Sequence, residues 1–345
     1  MSVTDTAGPA AMSAGPAAAA ATWVGGSGSL PGPTPQAPWL VADIGGTNAR
    51  FGVVARPGRG PERVRVLAAR EYPGLAEAAL DYLDGVRPVA ACLAVAGPVT
   101  GGRFTMNNSP WRGSTEQLRA ALGVAHLELI NDFEALALSI PQLTPDDLHP
   151  IGRAPDPPDA PVAVLGPGTG LGAALLVPTG RGWRPVPGEG GHVDLAPITD
   201  REAEVVRLLR AQHGSGSAEL ILSGAGMARL HRLLAMINGV PTESLSAADI
   251  CARRDDSRCA DTLTTFCAML GSFAGNAALT MGARGGVYLG GGILPRIADV
   301  LDSGEFRRRF EAKPPVEDYL RAIPTSLIVA ATPGLAGAAY RLECV

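Results

Sequence analysis

Residues 41–54 read VADIGGTNARFGVV, an apolar run that ends in Asp43 and two glycines and is followed at once by a second apolar run. Residues 39–44 have the length of a strand, and a second strand is predicted over residues 50–56, before the turn-forming residues PGRGP. The pattern is therefore strand, turn, strand. It excludes a P-loop, which needs a helix after its glycines and a GK[ST] sequence, because the chain's one lysine is Lys313.

The glycine-rich turn itself is suited to binding an anion. Gly45 and Gly46 let the backbone come close to a ligand, and with Thr47 and Asn48 they can point several N–H groups to one side. A carboxylate next to a phosphate site is repulsive unless a cation lies between them, so Asp43 indicates Mg²⁺, held through a water molecule. An ordinary hairpin with a glycine turn is the alternative interpretation.

Residues 164–177, VLGPGTGLGAALLV, repeat this plan and make the ordinary hairpin less plausible. The two hairpins overlap at a spacing of 122 residues when Gly46 and Thr47 are laid on Gly168 and Thr169. With Gly170 these residues predict a second phosphate-binding turn in a related second half of the chain. GTGLGA also fits a dinucleotide fingerprint, but that motif needs a following helix, and Pro178 ends a short strand-like run instead.

Composition limits the kinds of partner. The chain has 345 residues, of which 46% are apolar and 18% charged, enough for two domains of moderate size. A formal charge of −4 leaves no basic footprint for nucleic acid or a membrane surface, so we expect small-molecule partners. Residues 1–37 are rich in alanine, glycine and proline, and we predict a disordered extension with neither a secretory signal nor a membrane span.

The cysteines favour a reducing compartment. Five cysteines without a CxxC or CxC pair argue against a disulfide framework or a structural zinc site, and we expect a cytoplasmic location. Cys259 and Cys267 lie eight residues apart in a helical pattern, which predicts small buried side chains on one helix face.

Five polar residues are candidates for a second ligand. Asn131 and Asp132 follow an apolar run and precede a helical pattern that stops at Pro141, so they are predicted at the carboxyl end of a strand, where α/β sheets bind ligands; Asp132 as a simple helix cap is the alternative. Glu189 and His192 have the ExxH spacing of a metal pair, but the intervening glycines favour a loop that binds hydroxyl groups.

Glu219 is the remaining candidate of the five. It leads an apolar run between two glycine turns, and its alternative role is that of a capping charge.

The two hairpins resemble the phosphate-binding hairpins of the superfamily of sugar kinases, actin-like proteins and chaperone ATPases. This resemblance implies an α/β, two-lobed actin-like ATPase (ribonuclease H-like) fold with the nucleotide in a cleft between a small and a large domain. The superfamily also has a glycine-rich segment against adenosine, and GGVYLGGGI at residues 285–293 is similar to it. Gly290, Gly291 and Gly292 are therefore expected to bind the nucleotide and to open a helix that runs through Ile297.

The order and spacing of DIGGTNAR, INDF, GPGTGLG, PGEGGHVD, the SAExxLSGxG pattern and GGVYLGGGI resemble the bacterial glucokinase family of the non-ROK type, from about Leu40 to the C-terminus. The resemblance implies transfer of the γ-phosphoryl group of ATP to the 6-hydroxyl of glucose, with Mg²⁺ and with Asp132 as the base. It also implies a set of glucose contacts: Asn131, Asp132, Glu189, His192 and Glu219.

The predicted domains are residues 38–141 with 330–345 for the small domain and 142–329 for the large one. The oligomeric state is open, with a homodimer as one expectation. A kinase of another hexose, a sugar-responsive regulator and a dehydrogenase remain as alternatives.

Overall fold

The structure is a computed structural model that describes residues 30–106, 109–153, 155–180, 182–241 and 243–345. Most of the extension predicted for residues 1–37 thus lies outside the described residues. Residues 34–37 form a turn closed by two 3.1 Å backbone hydrogen bonds between Thr34 and Ala37. The indole of Trp39 donates to the carbonyl of Pro31 at 2.9 Å, so the extension contacts the first strand from residue 31 onward.

The first half of the chain builds a five-stranded sheet in the order β3-β2-β1-β4-β8. β1 is antiparallel to β2 and parallel to β4, as expected for a hairpin that continues into a crossover. A small three-stranded sheet, β5-β6-β7, and two helices complete this part. The elements are β1 (Trp39–Ile44), β2 (Asn48–Val54), β3 (Glu62–Ala68), α1 (Leu75–Leu83), β4 (Ala90–Val95), β5 (Val99–Thr100), β6 (Arg103–Thr105), β7 (Arg112–Ser114), α2 (Thr115–Leu122) and β8 (His126–Asn131).

The second half builds a six-stranded sheet in the order β12-β11-β10-β13-β14-β9. β10 is antiparallel to β11 and parallel to β13, the same arrangement that β1 has in the first sheet. The elements are β9 (Leu148–Pro150), β10 (Val162–Pro167), β11 (Leu171–Thr179), β12 (Gly182–Gly188), α4 (Asp200–His213), α5 (Gly224–Ile237), α6 (Ala247–Ala252), α7 (Ser257–Met281), β13 (Val287–Leu289), α8 (Ala298–Asp302), α9 (Glu305–Glu311), α10 (Glu317–Arg321) and β14 (Thr325–Ile328).

Two further helices, α3 (Asp132–Ser139) and α11 (Pro333–Glu343), pack against each other and against both halves. α11 also contacts β1 and β4, and α3 contacts β10, β11 and β12. Both helices belong to an apolar cluster that includes residues of both sheets, so burial joins the halves through them. Its buried members include Val41, Cys92, Leu138, Val164, Leu176 and Leu335.

The structure confirms two local expectations, the second hairpin and the burial of Cys259 and Cys267. The hairpin at residues 164–177 is present. Cys259 and Cys267 are buried within α7, and all five cysteines are free thiols. Each helix in the described part of the chain is too short or too polar to cross a membrane. The domain boundaries stay a prediction.

Two local expectations are wrong in detail. The second strand runs over Asn48–Val54 rather than residues 50–56, because pairing with β1 begins directly after the turn. No helix opens at Gly290: Gly291 has φ of 97°, a left-handed conformation that a helix does not allow, and a short 3-10 turn begins only at Leu294.

Candidate active site

The first glycine-rich turn consists of residues 45–48, of which Asn48 is also the first residue of β2. Ile44 pairs with Ala49 across the hairpin, and the Gly45 N–H donates to the Asn48 carbonyl at 2.9 Å. The side chains of Thr47 and Asn48 are exposed. The turn is therefore accessible, as a phosphate site requires.

Asp43 lies one residue before the end of β1. Its neighbour across the hairpin is Arg50, whose Nη1 lies 3.5 Å from Asp43 Oδ2. Burial raises the pKa of the Asp43 carboxyl, and the Arg50 charge opposes that shift. Gly334, at the start of α11, approaches so closely that a Cβ there would lie 2.9 Å from the carboxyl carbon of Asp43.

Asn131 and Asp132 lie at the junction of β8 and α3, as the sequence predicts. Asn131 caps the helix: its Oδ1 accepts a hydrogen bond from the Phe133 N–H at 2.8 Å, and its Nδ2 donates to the Gly97 carbonyl at 3.0 Å. Asp132 Oδ1 accepts from the same Phe133 N–H at 3.0 Å. Capping is thus shared, and the second carboxylate oxygen of Asp132 is not needed for it.

The environment of Asp132 suits a general base. Burial first, and then the negative charge of Asp43, raise the pKa of Asp132 to about 6. The two carboxylates are therefore close enough to repel each other. A carboxyl group with a pKa near neutrality is ionised at physiological pH but still has proton affinity.

The second glycine-rich turn is one residue shorter than the first. Pro167 pairs with Leu171, and the Gly168 N–H donates to the Gly170 carbonyl at 2.8 Å. Glu219 reaches this turn from another segment, and its Oε2 accepts from the Leu171 N–H at 2.9 Å. A side chain at position 170 would displace the Glu219 carboxylate from its present position. Thr169 is exposed.

Glu189 and His192 flank a short 3-10 turn at Gly190–His192. Their side chains are 76% and 61% exposed, and His192 Nε2 lies 3.8 Å from Glu189 Oε2. This distance is too long for a hydrogen bond between them, so both side chains can bind a ligand. The turn packs on β11, and the Val193 carbonyl that follows it accepts from the Ala218 N–H at 2.8 Å. Glu189, His192 and Glu219 therefore lie on adjacent segments.

The third glycine segment lies against the second turn. The Gly290 N–H donates to the Leu165 carbonyl at 2.8 Å, and Gly291 lies directly on the Pro167 carbonyl. Gly292 lines a cavity of about 510 Å³ between this segment and the helices α5 and α6. Its other lining residues include Gly224, Ala228, Ala247, Cys251 and Arg296.

Several functional neighbours were missed by the sequence analysis. Phe133 lies between Asp132 and the second hairpin, and Gly97 and Gly334 hold Asn131 and Asp43 in place. The INDF motif contains Phe133, but its spacing alone indicates an ordinary apolar helix residue. The contacts of the two glycines are between segments distant in sequence and leave no local signal.

A magnesium ion would have to be bound mainly by the substrate. In the described part of the chain, no three His, Cys, Asp or Glu side chains lie together in a group that could hold a metal ion. Asp43 next to an accessible glycine-rich turn fits Mg²⁺, which commonly uses one or two carboxylates together with phosphate oxygens and water. The repulsion between Asp43 and Asp132 is also what a cation at Asp43 would relieve.

Comparison with known proteins gives concordant results. A family model described as glucokinase matches residues 40–344. A glucokinase from Aromatoleum aromaticum is 47% identical over 313 residues, which cover 89% of this chain and 95% of the relative.

Solved structures agree with this match. A glucokinase from an Antarctic psychrotroph is 38% identical, with a TM-score of 0.80 over 89% of this chain and 99% of its own. A glucokinase from Balamuthia mandrillaris, solved with glucose, shares the fold at 21% identity, with a TM-score of 0.76 over 89% of this chain and 94% of its own. The expected α/β, two-lobed actin-like ATPase fold is thereby confirmed.

Proposed function

The chain belongs to the glucokinase family and is an ATP-dependent hexose kinase with glucokinase activity, and from this premise we propose how its own residues carry out the reaction. Asp132 accepts the proton of the glucose 6-hydroxyl as that oxygen attacks the γ-phosphorus of ATP. The products are glucose 6-phosphate and ADP. The observation that carries the proposal is the position of Asp132 at the start of α3, next to Asp43 and the first phosphate-binding turn.

The phosphate groups of ATP bind the two glycine-rich turns. Transfer of a phosphoryl group needs alignment and neutralisation of negative charge, which backbone N–H groups can provide without a lysine. The participating residues are Gly45, Gly46, Thr47, Asn48, Gly168, Thr169 and Gly170. Asp43 would hold a magnesium ion through water, and the ion, when bound, would help to neutralise the negative charge of the phosphate groups.

The adenosine part of ATP occupies the 510 Å³ cavity next to Gly292. The cavity has the size of a small-molecule site and is lined mainly by small side chains, which lets a flat base approach the backbone. Gly290 and Gly291 link this cavity to the second turn through their contacts with Leu165 and Pro167. A nucleotide can therefore extend from the cavity to the turns.

Glucose is held by Asn131, Asp132, Glu189, His192 and Glu219. Carboxylate and imidazole groups bind neighbouring hydroxyls well, and the exposed Glu189 and His192 have free hydrogen-bonding capacity. Closure of the two domains over the sugar would exclude water as a competing acceptor. The helices α3 and α11, which pack against both halves, are the elements about which closure would take place.

A coupled assay with ATP, Mg²⁺ and a panel of glucose, mannose and fructose tests this function. The proposal predicts the highest kcat/KM for glucose and loss of turnover on chelation of the metal. A higher value for another hexose would overturn the glucose specificity, and no turnover of any hexose would favour a sugar-responsive regulator.

The remaining parts of the proposal are a cytoplasmic location and assembly as a homodimer. The free thiols of all five cysteines support a reducing compartment. Light scattering on the purified protein would decide between monomer and homodimer.

A further inference from the structure

The ring of Phe133 fills a hole in the second hairpin. Gly166 and Gly172 are cross-strand partners in β10 and β11, each separated from the glycine-rich turn by one residue. A Cβ at Gly166 would lie 2.8 Å from the Phe133 Cζ atom, and a Cβ at Gly172 would overlap the edge of the ring. Both positions therefore need glycine, because the phenylalanine ring occupies the space of their side chains.

The backbone of Phe133 also forms hydrogen bonds with Asn131 and with Asp132, the proposed base. The Phe133 N–H is shared between Asn131 Oδ1 and Asp132 Oδ1, at 2.8 and 3.0 Å. A movement of the Phe133 backbone would therefore displace both side chains, one of which is the proposed base. Phe133 thus contacts the phosphate hairpin with its ring and the base with its N–H group.

Two further contacts fix the same helix. Leu136 lies so close to Gly290 that a Cβ there would meet its Cδ2 atom at 2.5 Å, and the Ala135 carbonyl lies directly against Gly337 of α11. Helix α3 is therefore held on one side by nucleotide-binding segments and on the other by α11. Phe133 is the contact nearest to the base.

We propose that Phe133 is a positioning residue that fixes the Asp132 carboxylate relative to the phosphate-binding turn at residues 168–170. In-line phosphoryl transfer depends on alignment of the attacking oxygen with the γ-phosphorus, and a misplacement of about 1 Å can cost up to roughly a hundredfold in rate. Phe133 acts on the rate through Asp132, and does not touch the reacting atoms itself. This inference rests on the proposed function.

The first test is Phe133→Leu, which shortens the ring contact but keeps an apolar helix residue. We expect kcat to fall by about tenfold or more, while KM for glucose and for ATP stay within about threefold of the wild type. Phe133→Met is unbranched and can reach into the hole, so it should recover much of the lost kcat. Unchanged kcat in Phe133→Leu, or a loss in KM alone, would overturn the proposal.

The second test uses the complementary surface. Gly172→Ala should displace the ring and lower kcat, and combining it with Phe133→Leu should restore part of the rate because the smaller side chain leaves space for the new methyl group. A double variant no faster than Gly172→Ala would count against the proposal. The matched control is Gly113→Ala, where a Cβ would lie 3.1 Å from the ring of Phe104 in the small sheet, and where kcat should not change.

Melting temperature and wild-type activity are measured alongside. A loss of stability without a change in kcat well below the melting temperature would mean that Phe133 is only a packing residue. An inactive wild-type protein would refute the proposed function itself, whereas an active wild type with fully active Phe133 variants would refute only the inference.

Discussion

In the first hairpin four residues lie between the paired Ile44 and Ala49, and Asp43 of the same strand lies next to this turn, whereas in the second hairpin three residues lie between the paired Pro167 and Leu171. The second turn receives Glu219 from another segment. The partner that the structure gives the Asp43 carboxylate is Arg50, at 3.5 Å. The Glu219 carboxylate instead binds a backbone N–H of the second hairpin at 2.9 Å.

This difference gives two similar turns different chemical roles. A carboxylate that accepts a hydrogen bond from the backbone is already stabilised, so Glu219 needs no cation. Asp43 is partly buried and close to Asp132, and the pKa of its carboxyl is raised in spite of the Arg50 charge, so a cation there would relieve repulsion. The comparison supports the proposals that the metal binds next to the first turn and that Glu219 connects the second turn to the sugar site.

The largest effect is expected from Asp132→Asn on the first-turn side. The change removes the proton acceptor and leaves a side chain of the same size, so kcat should fall by at least about a hundredfold. Glucose affinity should fall by no more than about tenfold, because the amide keeps a neutral hydrogen bond to the sugar. Steady-state kinetics and calorimetry with glucose measure the two quantities. Near-normal turnover would reduce Asp132 to a helix cap.

The stability of the same variant provides a control. Because burial raises the pKa of Asp132 from 3.8 to about 6, the folded state binds the proton more tightly than the unfolded state. The ionised carboxylate therefore destabilises the fold increasingly as the pH rises through this range, and the penalty is fully present above about pH 6. The melting temperature of Asp132→Asn at neutral pH should be equal to or higher than that of the wild type, and a marked drop would indicate a structural defect.

The next largest effect is expected from two variants that compare Glu219, which contacts the second turn, with Glu189, which does not. Glu219→Gln and Glu189→Gln should each weaken glucose binding about tenfold or more, since each replaces a charge-assisted hydrogen bond by a neutral one. Only Glu219→Gln should also lower the melting temperature without sugar, because only Glu219 binds the hairpin, through the Leu171 N–H.

Calorimetry, thermal unfolding and metal analysis of both variants test this distinction. Equal melting temperatures of the two variants would show that the hydrogen bond of Glu219 does not stabilise the second hairpin. Unchanged glucose affinity together with loss of a bound metal from Glu189→Gln would mean that Glu189 and His192 form a metal pair.

The sequence was sufficient for the parts of this site that are local in the chain. Both turns, the position of Asp132 at a strand end and the loop of Glu189 and His192 follow from glycine spacing and apolar runs. The overlay of the hairpins at a spacing of 122 residues holds for their second strands but not for their first, because the first turn has an extra residue.

Contacts between distant segments could not be predicted in the same way. The docking of Glu219 on Leu171, the repulsion between Asp43 and Asp132, and the fit of the Phe133 ring depend on how segments far apart in sequence pack. The failed helix at Gly290 has a similar cause. Gly291 takes a left-handed conformation where it lies against Pro167, and nothing in the local sequence indicates that contact.

The pH dependence of the reaction tests whether Asp43, next to the first turn, affects the ionisation of Asp132. Asp132 must be ionised to accept a proton, so kcat/KM for glucose should fall as the pH decreases through about 6. In Asp43→Asn the like charge is gone, and the acid limb should move to lower pH. Kinetics between about pH 5 and 8 measure the limb, and Glu219→Gln serves as the control that should leave it in place. If the acid limb does not move in Asp43→Asn, the charge of Asp43 does not raise the pKa of Asp132.

The smallest effect is expected from removal of the segment that precedes β1. Removal of residues 1–29 should leave activity and melting temperature unchanged, because their composition offers little to bury. Removal of residues 1–37 should lower the melting temperature slightly, by the equivalent of about 1 kcal/mol, since the Trp39 indole loses the Pro31 carbonyl. Activity should persist in both truncated proteins, as both turns are intact.

Thermal unfolding and activity assays of the two truncated proteins test this prediction. Equal melting temperatures would show that the contact at Pro31 adds nothing to the anchoring of β1. A loss of activity on removal of residues 1–29 would show that the extension takes part in the reaction.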